Sequence, residues 1–102
     1  MAEVCVIARS VARKEKEGQL RALLQSMLAP TRAERGCMLY ELYESSSKGR
    51  FYLYEMWESR AALDLHAESP HFKHLEQTIG ELVQEPFEVN ILERIQTDAA
   101  VA

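Results

Sequence analysis

Residues 37–57 read CMLYELYESSSKGRFYLYEMW. Two runs of aromatic and aliphatic residues, 37–44 and 51–57, flank Ser45-Ser46-Ser47-Lys48-Gly49, a string of turn formers. The stretch therefore predicts two antiparallel strands joined as a hairpin. Along the second strand Phe51, Leu53, Glu55 and Trp57 fall on one face, and Tyr52, Tyr54 and Met56 on the other. Neither face suits water, so something must cover both.

Upstream of the hairpin, Gly36 supplies the residue that tolerates a positive φ and hands the chain to the first of these strands. Before it, Leu20, Leu23, Leu24, Met27 and Leu28 recur at i, i+3, i+4, i+7 and i+8. That spacing places one apolar stripe on a helix running from about Lys16, which Pro30 is expected to bend or end. The β-branched run from Val4 to Val11 reads as an opening strand. Downstream, Ser59 is a good N-cap for a helix from Arg60 to about Glu68, and Ser69 with Pro70 starts another. The second helix is expected to present Phe72, Leu75, Ile79, Leu82 and Val83 on one side, and Pro86 to Glu93 alternates as a final strand. The order βαββαβ predicts an α+β, ferredoxin-like fold with helices on one face of an antiparallel sheet. The other face then calls for a second copy, giving a homodimer built sheet to sheet. Residues 1–96 are read as a single domain and residues 97–102 as a flexible tail.

With 102 residues, the chain has no room for a cofactor-binding module beside a substrate module, so any site must be built from one core. The net charge of −4 and the lack of a basic stripe argue against nucleic acid as a partner. The first residues carry no basic segment before their short apolar run, so neither membrane insertion nor export is expected, and the protein is assigned to the cytoplasm. Cys5 and Cys37 lie in separate strand-like segments and read as buried, reduced thiols.

Among titratable residues, His66 shares a helical face with Ala62 and Leu63, which turns its ring toward the apolar interior. A neutral imidazole there can take a phenolic proton, or it can simply be a core histidine hydrogen-bonded to a strand group. Trp57 could wall a pocket and stack on an aromatic substrate, or only pack. Glu55 shares the strand face of Trp57. It could orient His66 and raise its basicity, or hold the dimer together through an arginine such as Arg9. His66, His71 and His74 invite a metal reading, but His74 falls on the polar side and no further ligands are seen to converge, so no metal is expected. His71, at the start of its helix, is placed instead at the pocket mouth as a hydrogen-bond donor, while Tyr40 and Phe72 join the substrate-binding wall.

The run Tyr54-Glu55-Met56-Trp57-Glu58-Ser59-Arg60-Ala61-Ala62-Leu63, followed by His66 and by Ser69-Pro70-His71-Phe72, resembles the antibiotic biosynthesis monooxygenase family. Gly36-Cys37 leading into Tyr40-Glu41-Leu42 fits the same pattern. The resemblance implies a dimeric α+β barrel with a pocket between sheet and helices in each subunit. It implies oxidation of a quinol, phenol or polyketide-like aromatic by molecular oxygen, without a cofactor. Some members of the family degrade haem. Aligning Ser69 to Lys73 with these puts His66 where an aromatic Trp is expected and Glu76 where the iron-ligating His is expected, a departure that argues against haem. A small-metabolite-binding or stress-response dimer without chemistry, and an isomerase using His66 as a proton shuttle, remain alternatives on the same pocket.

Overall fold

The computed structural model describes residues 3–95; the tail expected from Thr97 lies outside the described residues. Strand β1 (Val4–Val11) is followed by helices α1 (Glu17–Gln25) and α2 (Leu28–Arg32). The hairpin of β2 (Cys37–Glu44) and β3 (Arg50–Trp57) comes next, then helices α3 (Arg60–Ala67) and α4 (Pro70–Ile79) and strand β4 (Glu88–Glu93). The strands form one antiparallel sheet in the order β2-β3-β1-β4, the ferredoxin-like arrangement the element order predicts. The sheet is open: β2 and β4 are edges that do not meet. No described helix is long and apolar enough to cross a membrane.

One sheet face packs beneath the helices. Val4, Val6 and Ala8 of β1 and Phe51, Leu53 and Trp57 of β3 meet Leu20, Leu24, Leu63, Leu75 and Ile79 from above. Each alternates in sequence with residues of the other face, as a pleat with one buried side requires. Of the thiols, Cys37 joins the rim of this core, Cys5 lies on the outer face, and both are half-buried rather than enclosed.

Four local readings change. The α1 stripe is buried as expected, but the helix breaks before Pro30, which sits inside the first turn of α2. Lacking an N–H, Pro30 cannot donate to the Ser26 carbonyl, so the ladder fails one turn earlier and restarts where the missing donor costs nothing. Helix α4 stops at Ile79, and Leu82 and Val83 reach the core from the turn beyond it. There the backbone is stitched to the end of β1 by Arg13 N–H donating to Leu82 O and Gln84 N–H to Val11 O. The last strand begins at Glu88, not Pro86, which has no N–H to give to a ladder. In β2 a bulge lies between Cys37, opposite Trp57, and Leu39, opposite Met56. The extra residue, Met38, shifts the alternation by one, so Cys37 and Tyr40 both face the helices although an unbroken strand would put them on opposite sides.

Gly36 carries φ +92, and a Cβ there would lie 2.6 Å from the Ala62 Cβ. Its carbonyl accepts from Glu58 N–H at 2.9 Å, tying the start of β2 to the end of β3 directly under α3. Gly36→Ala should therefore destabilise the fold by on the order of 2–3 kcal/mol through backbone strain and the clash. Gly18→Ala, an exposed helical position where a Cβ meets nothing within 4 Å, should stabilise it by about 0.5–1 kcal/mol. Urea unfolding of the two variants beside wild type measures both signs.

Candidate active site

Between the inner sheet face and helices α3 and α4 lies a cavity of about 150 Å³. Its walls are apolar: Val6, Leu53, Leu63, Leu75, Phe72, Phe87 just before the edge strand, and Val89 and Ile91 within it. Arg60 and Asp64, an exposed i,i+4 ion pair on α3, stand at its polar side. Three side chains bring chemistry to this apolar lining: Tyr40, Glu55 and His66.

His66 is only 2% exposed. The two caps fix it. Ser59 Oγ accepts from Ala62 N–H and starts α3, while Ser69 Oγ accepts from Phe72 N–H and donates to the His66 carbonyl at 2.7 Å. Ser69 thus locks the end of α3 to the start of α4. The imidazole packs against Trp57, with ring centroids 4.7 Å apart, and against the edges of Phe72 at 5.2 Å and Tyr40 at 5.8 Å. Its Nδ1 lies 2.7 Å from Glu34 Oε2, and His71 Nε2 reaches the same oxygen at 2.5 Å. A carboxylate only accepts, so both ring nitrogens donate to it. Burial lowers the His66 pKa below 6.5, partly offset by the hydrogen bond and charge of Glu34, so the ring is neutral near pH 7.

Glu55 is 5% exposed, and Trp57 Nε1–H donates to its Oε1 at 3.0 Å. Burial pushes its carboxyl up to about 7, with the charge of Glu34 adding and the indole hydrogen bond opposing. Tyr40 stands opposite Glu55 across β2 and β3, and burial, with the nearby Glu55, raises its phenol well above 10. It stays protonated.

Of the residues singled out in the sequence, His66, Glu55, Phe72 and Tyr40 line the cavity. Trp57 does not: fully buried, it backs His66 and holds Glu55. Glu55 neither orients His66 nor meets Arg9, because Arg9 is on the outer sheet face, bonded to Glu85 at 2.8 Å. His71 turns to Glu34, away from the cavity mouth. Glu34 carries no signal in the sequence. It sits in an ordinary charged turn after α2, and only the fold carries it under α3. The convergence of ligand-type groups that the sequence did not reveal is therefore present in Glu34, His66 and His71, with His74 exposed and apart.

A sequence profile described as antibiotic biosynthesis monooxygenase matches residues 3–78. Rv0793 of Mycobacterium tuberculosis is 47% identical over 89 residues, covering 87% of this chain and 88% of that protein. Its solved structure superposes with a TM-score of 0.90 over 96% of this chain and 100% of its own, at 43% identity. PA3566 of Pseudomonas aeruginosa superposes at 0.87 with 29% identity, over 94% and 97%. A crystal structure described as an antibiotic biosynthesis monooxygenase superposes at 0.84 with 28% identity, over 91% and 99%.

The carboxyl of Glu55 holds its proton more tightly folded, at about 7, than at its ordinary 4.5. Stability from this group is therefore full below about pH 4.5 and lost as pH rises through about 7. Glu55→Gln removes that loss. Relative to wild type the variant should gain on the order of 3 kcal/mol between pH 5 and pH 8, read from urea unfolding at each pH. His66 titrates in both proteins and cancels in the difference.

Proposed function

Because this chain belongs to the antibiotic biosynthesis monooxygenase family, we propose that it oxidises a single-ring quinol or phenol with molecular oxygen in this cavity, with His66 as the base. One observation carries the reading. Glu34 takes the Nδ1–H of His66, which leaves Nε2 as a free acceptor on a neutral ring that lines the cavity. Glu34 is then the positioning residue that fixes the tautomer, as carboxylates do for catalytic histidines generally.

Proton transfer from a substrate hydroxyl to Nε2 gives an electron-rich oxyanion that can pass an electron to dioxygen. For a quinol the balance is quinol plus O₂ giving hydroxyquinone plus water. One oxygen atom enters the ring, the other leaves as water, and all four electrons come from the substrate. Such a reaction needs no flavin, haem or metal to supply them. A cavity of about 150 Å³ has the size that accepts one benzene-like ring rather than a fused polycycle. Glu55, protonated in part near neutrality, and Tyr40 supply hydrogen-bond donors among otherwise apolar walls.

A homodimer belongs to the same reading. The outer sheet face exposes Ile7, Tyr43, Tyr54 and Leu92, an apolar surface of the kind that isologous interfaces cover. A second sheet laid against it would close the barrel that one chain leaves open.

Oxygen uptake with a panel of quinols should give one O₂ per quinol. Turnover that proceeds anaerobically would instead make the protein an isomerase, and binding without turnover a carrier. His66→Ala should lower kcat by about 10²- to 10⁴-fold, and Glu34→Gln by about 10-fold or more, with both proteins folded. The wild-type rate should rise with pH through an ionisation below 6.5, because burial lowers the imidazole, and this step should vanish in His66→Ala. An active but destabilised His66→Ala would remove it from the mechanism. Sedimentation equilibrium at micromolar concentration should give twice 11.7 kDa, and Ile7→Glu on the outer face should shift the protein toward monomer.

A further inference from the structure

Glu34, His66 and His71 come from three separate elements, the turn after α2, helix α3 and helix α4, yet one donor atom of each lies within 4.8 Å of the other two. Two imidazole nitrogens and a carboxylate oxygen are the donor set of borderline divalent cations, and three protein ligands leave a position for water. The donors now meet through hydrogen bonds of 2.7 and 2.5 Å to Glu34 Oε2. Around a tetrahedral ion with bonds of about 2.0–2.1 Å, neighbouring donors stand about 3.3 Å apart. Each ring would have to withdraw by less than about 1 Å. His66 is held by its packing, but the side chains of Glu34 and His71 keep 17% and 20% of their surface exposed, so they can move and an ion can reach them from solvent.

We propose that Glu34 Oε2, His66 Nδ1 and His71 Nε2 form a binding site for a borderline divalent cation of the zinc type, and that its occupancy switches His66 from proton acceptor to proton donor at the cavity. The second half rests on the assignment of His66 as the base; the first does not. The chemistry of the switch is tautomeric. A cation on Nδ1 takes the lone pair of that nitrogen and forces the ring proton onto Nε2, the nitrogen the reaction needs free. The two states are then exclusive. With Nδ1–H donating to Glu34 the ring accepts at Nε2, and with Nδ1 on the cation it donates there.

Titration calorimetry of the untagged full chain with zinc chloride should give one ion per chain. His71→Ala should weaken binding by at least about 10- to 100-fold, the cost of losing even a group that supports a ligand, whereas His74→Ala, on the exposed side of the same helix, should bind as wild type does. Long-range ¹H–¹⁵N correlation should show His66 protonated on Nδ1 without zinc and on Nε2 with it. With a quinol substrate, zinc should inhibit wild type in proportion to occupancy and, at the same concentration, should not inhibit His71→Ala relative to that variant's own rate. Absence of a one-to-one site, or equal binding by His71→Ala and His74→Ala, would overturn the site. A His66 ring still protonated on Nδ1 at saturation, or full activity there, would overturn the switch. The calorimetry and the correlation spectra need no turnover, so they stand or fall separately from the assignment of His66 as base.

Discussion

Two ionisable side chains, Glu55 and His66, are buried against the same apolar layer, and the cost of hiding them organises the centre of this molecule. An unpaired carboxyl or imidazole in such surroundings would lose several kcal/mol of hydration. Each has been given one partner. Trp57 donates its indole proton to Glu55, and Glu34 takes a ring proton from His66. Because Trp57 also packs on the His66 ring, the two pairs share a wall. The arrangement leaves the opposite side of the imidazole and one side of the carboxyl to the cavity, where neither has its ordinary proton affinity. Desolvation moves the two in opposite directions, the acid upward and the base downward. Near pH 7 the base is thereby neutral and the acid keeps its proton in part, so a proton can move between substrate and protein with less charge isolated than ordinary side chains would leave.

What the chain announces locally, the fold largely obeys. The hairpin, the serine caps at Ser59 and Ser69, the positive φ at Gly36 and the inward phase of His66 all follow from residues within a few positions of one another. The misreadings share a different origin. Pro30 acts on the carbonyl one turn before it, so its effect appears upstream of where a linear reading looks for a helix end. The bulge at Met38 leaves no mark in the composition of β2, yet it decides that Tyr40 faces inward. Glu34 is the hardest case. Nothing in Arg32-Ala33-Glu34-Arg35 separates it from any solvated turn, and its proximity to His66 and His71 exists only because Gly36 lets the chain pass beneath Ala62. Residues that act through another side chain are set by tertiary closure, and closure is what a one-dimensional pattern omits.

The same distinction separates the two faces of the sheet. The inner face is specified residue by residue, down to which strand opposes which. The outer face is specified only in kind, by Ile7, Tyr54 and Leu92 standing where a solvated sheet would carry charge. Where Arg9 does bring charge there, two positions along β1 from Ile7, it is neutralised by Glu85 and Glu88.

One consequence of the strand order concerns how the cavity comes into being. Its inner half is made of neighbours in sequence, the hairpin and the helices that follow, but its outer wall is β4, whose Val89 and Ile91 pair with Ala8 and Val6 from the opposite end of the described chain. That pairing closes nearly the whole chain into a loop, and contacts of such long separation form late because the chain entropy they cost is not recovered until the rest is in place. A molecule that has built its hairpin and helices but not docked β4 would hold a groove open to water, in which His66 and Glu55 would keep only part of the desolvation that sets their proton affinity. The enclosure of the site is therefore completed only when the last strand docks.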